Sequence, residues 1–233
     1  MAKVKKSSVI LTCLLLALLC SVLFYIEGNA SKYIIRITRL CAINIVLALS
    51  MNLVNGFTGI FSLGHAGFMA IGAYSVALLT IPVAKKETIF MLEPLIAPLN
   101  TLTLPFGVAL IIGGLLAAAL AFLIGLPCLR LRGDYLAIAT LGFSEIIRII
   151  ITNAQCLTNG AQGLKSIPAT ANIWWCYGIA LATIVFIALL ISSSYGRAFK
   201  AIREDEIAAE SMGVSLLRHK MLSFMLSAFL AAV

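Results

Sequence analysis

Apolar residues run along this chain in long windows, at 9–26, 34–54, 59–81, 105–129, 135–151 and 173–192, and a further window begins near 219 and is still running at Val233. Each approaches the ~20 residues an α-helix needs to cross about 30 Å of hydrocarbon. The pattern therefore predicts an all-α, polytopic transmembrane bundle of six or seven spans forming a single domain over 1–233. The last window has no polar flank, so the chain is expected to continue beyond Val233. Residues 1–30 join a basic start to an apolar core with Gly28 and Ala30 behind it. They read as a first span or as a signal peptide, and a core of 18 residues is long for a signal.

Composition removes the main competing class. With 62% hydrophobic and 11% charged residues, a water-exposed surface is ruled out. In a soluble protein, 17 basic against 9 acidic residues would suggest nucleic acid. Here the charges sort by side of a membrane, so lipid is the expected surroundings and no nucleic acid is expected. With the amino terminus in the cytosol, Lys3, Lys5, Lys6, Arg130, Arg132, Arg197, Lys200, Arg203, Arg218 and Lys220 lie inside. Lys32, Arg36, Arg39, Lys85, Lys86 and Lys165 lie outside, and Arg36 and Arg39 are expected to snorkel to the outer interface. The six cysteines form no C-x-x-C pair and no cluster with histidine, so buried free thiols and no metal are expected.

Polar residues inside the spans are costly and mark where a helix meets something other than lipid. Asn44, Asn52 and Asn55 share a helical face with Ala48, either for interhelical hydrogen bonds or toward a watery path. The stretch NGFTGIFSLGHAGFMAIGAY, 55–74, holds Gly56, Gly59, Gly64, Gly67 and Gly72, a density that weakens a continuous helix. A break near 56–64 would mark a pathway, because free backbone at membrane depth survives only when buried in protein or lining a cavity. Ser62 and His65 flank it, and a helix restarting near Ser62 would aim its N–H groups at a substrate carboxylate. His65 reads first as a neutral imidazole bonded to a nearby carbonyl and second as a residue lining the path. Gly113, Ala117, Ala121 and Gly125 recur every four residues as a packing ridge. Glu145 and Arg148 stand three apart and can neutralise each other, as a structural pair or in a gate or path.

Residues 196–213, GRAFKAIREDEIAAESMG, are the longest charged stretch and predict one short cytosolic helix ended by Gly213. Ala198, Ile202, Ala209 and Met212 fall on one face. Arg197, Lys200 and Arg203 precede Glu204, Asp205, Glu206 and Glu210, the reverse of what a helix dipole favours, so a protein partner is expected to hold it.

NLVNGFTGIFSLGHAGFMAIGAY (52–74), LRLRGDYLAIATLGFSEIIRII (129–150) and GRAFKAIREDEIAAESMGV (196–214) together resemble the permeases of branched-chain amino acid ABC importers, most closely the M-type of the two paired subunits. The glycine-rich piece alone also fits the related urea and short-chain amide permeases. The resemblance implies transport of leucine, isoleucine or valine across a bacterial-type inner membrane. Its implied partners are a second permease, two ATP-binding cassette subunits and an extracytoplasmic binding protein. It also implies that residues around 201–213 dock on an ATPase, with Arg203, Glu204, Asp205, Glu206, Ala208, Ala209 and Gly213 as contact candidates. The importer signature has a glutamate before two alanines and a glycine four residues later. Ala208, Ala209 and Gly213 are in register, but Ile207 replaces the glutamate and Glu206 lies one position earlier.

The path candidates are then Asn44, Asn52, Asn55, Ser62, Gly64, His65, Glu145 and Arg148. The sequence contains no G-x-x-x-x-G-K-[ST] phosphate loop, so ATP is expected to be bound and hydrolysed by partners, and this chain is expected to be no enzyme and to hold no cofactor. A secondary transporter or channel is the alternative from another class. A membrane hydrolase is disfavoured, since Ser62 and His65 come without a G-x-S-x-G elbow or an orienting acid.

Overall fold

The computed structural model describes residues 6–83, 85–86, 90, 100, 102–131, 133–165, 167–168 and 170–233, with side chains from Leu14 onward. Lys3, Lys5 and Arg132, and the side chain of Lys6, lie outside the described residues. The described elements are helical throughout: α1 (Lys6–Asn29), α2 (Lys32–Asn52) continued by a π-turn (Leu53–Phe57), α3 (His65–Thr80), α4 (Phe106–Cys128), α5 (Asp134–Asn153), α6 (Gln155–Thr158), α7 (Ile173–Ser192), α8 (Ser194–Glu204), α9 (Glu206–Ser211) and α10 (Leu216–Ala232). Among the described residues four stretches are long and apolar enough to cross a bilayer, Lys32–Phe57, Phe106–Cys128, Asp134–Asn153 and Ile173–Ser192. Leu14–Asn29 and His65–Thr80 are shorter apolar helices. A polytopic helical membrane bundle is therefore what the sequence builds.

The core lies among α3, α4 and α10. Gly113, Ala117, Ala121 and Gly125 are all buried on α4, and a Cβ at Gly125 would stand 2.8 Å from Met221 Sδ. The missing side chains let α10 and α3 approach closely, which in lipid replaces the hydrophobic drive that water would supply. Phe68 of α3 and Phe224 of α10 close this seam edge-to-face at 5.4 Å between ring centroids. Outside the core, α2 lies along α7, and α5 lies against α3. Trp174 Nε1 donates to Glu27 Oε2 at 2.5 Å, tying α1 to the start of α7.

The connection from α3 to α4 is pinned by Leu104 N–H donating to Leu79 O at 2.9 Å. Lys86, expected as an outer loop charge, instead turns inward, and its Nζ donates to Leu102 O at 2.8 Å. Burial pushes its pKa below the ordinary lysine value. Among the described cysteines only Cys128 is buried, Cys176 is half-buried, and Cys20, Cys41 and Cys156 are exposed, so the expectation of buried thiols is corrected. An apolar span faces lipid as readily as it faces a neighbour, so hydropathy alone does not mark an interior.

Replacing Gly125 by valine is expected to force α4 and α10 apart and to cost about 1–3 kcal/mol by overpacking. A fall in the melting temperature of the detergent-solubilised protein checks this, with Leu123→Val, on the exposed face of α4, as the neutral comparison.

Candidate functional site: a broken span and the segment that grips it

The chain leaves helical geometry after the π-turn at Leu53–Phe57 and regains it only at His65. The restart is three residues beyond the expected one at Ser62, and Gly64 occupies the N-cap. His65 Nε2 lies 2.6 Å from Ser227 Oγ, which is about 16 Å along α10 from Leu216 at 1.5 Å per residue. The break therefore climbs from one end of the bundle to about mid-depth, where backbone groups have no water to turn to.

Side chains and local turns answer the freed donors. Asn55 Oδ1 accepts from Ser62 N–H at 3.2 Å. Thr140 Oγ1 accepts from Leu63 N–H at 3.1 Å while donating to Ala137 O. Ser62 Oγ accepts from Gly64 N–H at 3.4 Å, and Ile60 N–H reaches back to Val54 O at 3.1 Å. These N–H groups are thus spent inside the protein rather than aimed at a substrate carboxylate. Below the restart, Ser227 Oγ–H donates to Ser50 O at 2.8 Å, so the hydroxyl accepts from His65 Nε2–H. That network assigns the proton to Nε2 and leaves Nδ1 buried without a partner among the described residues. His65 thus ties α3 to α10 and, through Ser227, to α2.

The path candidates do not form one cluster. Asn55, Ser62, Gly64 and His65 come together around the break. Asn44, Ala48 and Asn52 face outward on α2, while Ala42, Val46 and Ser50 turn to the interior. Glu145 and Arg148 form the expected pair at 3.0 Å, with side chains 52% and 75% exposed on the outside of α5. Arg39 is half-buried with its Nε shut from solvent, a correction to the expected snorkelling, whereas Arg36 is exposed. Thr140, Ser50 and Ser227 were not among the sequence candidates, since a lone hydroxyl in an apolar helix ordinarily bonds its own preceding turn.

The segment 196–213 is two helices, not one. Asp205 leaves helical geometry at φ −156° and ψ 114°, and its Oδ1 accepts from Ile207 N–H at 2.8 Å and Ala208 N–H at 3.1 Å. A capping aspartate ends α8 and starts α9, so Asp205 and Glu206 stand at a helix N-terminus where the dipole favours them. The charge order that looked reversed in a single helix is explained by the joint. The joint also splits the expected apolar face: Ile202 and Ala209 are buried and Ala198 is half-buried, whereas Met212 is 84% exposed.

Each short helix holds a different part of the bundle. Arg203 Nη1 on α8 donates to Gly56 O at 3.1 Å, within the π-turn. Gly59 (φ 74°) would place a Cβ 2.8 Å from Arg203 Cγ, so the arginine stem lies directly on the break. Arg203 also pairs with Glu204 at 2.5 Å. On α9, Glu206 Oε1 meets the buried Lys220 Nζ of α10 at 2.5 Å.

A helical membrane protein whose broken span is gripped by a jointed polar segment has the features from which transporters and channels build their paths. Residues 33–233 match the family described as branched-chain amino acid transport system, permease component, and the chain belongs to that family. It is 37% identical, over 86% of its length, to the high-affinity branched-chain amino acid transport system permease protein LivM of Escherichia coli strain K12, covering 51% of that protein. It is 36% identical to the protein of the same description in Salmonella typhimurium strain LT2, over 86% of this chain and 51% of the relative. A probable branched-chain amino acid transport permease protein LivM of Methanocaldococcus jannaschii is 24% identical over 81% of this chain and 61% of its own length. The chain thus spans about half the length of the first two relatives. No solved structure matches it.

Thr140→Val is expected to orphan Leu63 N–H at a cost of about 1–3 kcal/mol. The expected readouts are a lower melting temperature and faster amide exchange across 60–64, with Thr140→Ser close to wild type.

Proposed function

We propose that this chain is a transmembrane permease subunit of an ABC importer that carries branched-chain amino acids across the cytoplasmic membrane, driven by partner ATPases. The family assignment and the descriptions of the relatives support the transport class. The observation that carries the mechanism is the bond from Arg203 to Gly56 O, which joins the 194–213 segment to the broken span.

In this reading the amino terminus and the 194–213 segment lie in the cytosol, in keeping with the excess of lysine and arginine on that side. Exposed Ile207 and Met212, with Ala208 beside them, form an apolar surface for the groove of an ATP-binding cassette subunit. ATP is consumed there, and this chain needs no cofactor of its own. When the ATPases close, α8 and α9 move about the Asp205 joint. Arg203 passes that displacement to residues 56–59, whose irregular backbone can shift without breaking a helical ladder. The outward asparagines of α2 and the Glu145–Arg148 pair are costly against lipid, and a second permease covers them. An extracytoplasmic binding protein delivers substrate to the opposite face.

The assembled transporter in proteoliposomes tests the coupling. Arg203→Gln is expected to lower leucine uptake about five- to hundredfold while ATP hydrolysis continues, in line with typical coupling energies. Uptake unchanged by Arg203→Gln removes the linkage, and uptake that survives a Walker lysine substitution in the ATPase removes the importer.

A further inference from the structure

At the end of the bundle away from α8 and α9 lies a cavity of about 430 Å³ between α2, α3, α4, α7 and the end of α10, with Ile167, Pro168, Thr170 and Ala171 at its edge. Its walls are chiefly aliphatic, among them Val46, Met69, Val76, Leu110 and Ile179. Among the described residues Arg39 is its one charged lining residue. Among the described residues Arg39 makes no hydrogen bond or ion pair, and its Nε is sealed from solvent. Thr80 also lines the space, but its hydroxyl proton is directed at Val76 O and Ala77 O. A guanidinium held in an apolar span with no anion beside it is costly, so an occupant that brings the anion is strongly favoured.

We infer that this cavity binds the carboxylate of a branched-chain amino acid, with Arg39 on the carboxylate and the aliphatic walls around the side chain. The inference deepens the importer reading and rests on it. The guanidinium fork matches a carboxylate with two parallel N–H···O bonds. The volume falls within the range of small-molecule sites, and its lining of apolar walls with one convergent polar group is their usual chemistry. The position also fits, because a substrate handed over at the face opposite the 194–213 segment would meet this cavity first. A phospholipid headgroup above its acyl chains presents the same pairing of anion and apolar body, and the experiment separates the two sources.

The test uses the complete transporter in nanodiscs without nucleotide, and radiolabelled leucine as the probe. Leucine is expected to bind, valine to compete, and leucinol, which lacks the carboxylate, to compete at least tenfold less well. Arg39→Gln is expected to weaken binding at least about tenfold, the loss of a bidentate charged contact. Its melting temperature should be no lower than wild type, since an unanswered cation is being removed. Met69→Trp, which fills the cavity while leaving Arg39 in place, should weaken leucine binding as well. Equal binding by wild type and Arg39→Gln, or equal competition by leucinol, overturns the inference. So does a wild-type melting temperature that tracks anionic lipid content through Arg39 while leucine binding does not, which would make this a lipid site. ATP-driven uptake that persists alongside any of these results leaves the importer standing and removes only the cavity. Loss of ATP dependence removes the importer itself.

Discussion

The rest of the molecule is arranged around one constraint: a polypeptide that leaves helical geometry at membrane depth must find partners for its own N–H and C=O groups. Residues 58–64 do so through Asn55, Ser62 and Thr140, and Gly56 O is taken up by Arg203. Three elements are drawn in by that need. α5 supplies Thr140, α8 supplies Arg203, and α10 supplies the serine that receives His65. The break is thereby both irregular and firmly held.

The spans were legible because hydropathy in a bilayer is a strong signal. The window at 173–192 coincides with α7, and 105–129 and 135–151 differ from α4 and α5 by a residue or two. The interruption near Gly56 was legible from glycine density, but not its far end. His65 rather than Ser62 begins α3 because Ser62 is spent accepting from Gly64 N–H and donating its own N–H to Asn55 Oδ1, contacts that depend on tertiary placement. Asp205 carried its signal in plain view, an aspartate followed by Glu206, Ile207 and two alanines. A continuous helical reading hid it, because Arg203 and Glu210 fit the same periodicity on either side.

Residue type separated polar from apolar faces, yet not interior from exterior. Asn44 and Asn52 were rightly singled out as sharing a face, and that face looks away from this chain's own core. In water an exposed asparagine needs no explanation, whereas in hydrocarbon it does. Periodicity marks a polar face in a membrane helix and leaves open what covers it. Arg39 shows the opposite failure. Its place near a predicted interface suggested a charge reaching outward, and the packing of α2 on α7 turned it into a cavity instead.

The ridge of Gly113, Ala117, Ala121 and Gly125 bears on what kind of machine this is. Helices whose backbones touch have little room to bend or slide, so α3, α4 and α10 behave as a solid block. Conformational work done on such a body cannot be absorbed by diffuse elastic deformation of its centre. It is channelled to the places where backbone is already irregular, at 58–64 and at Asp205, which divides the protein into a stiff frame and two joints.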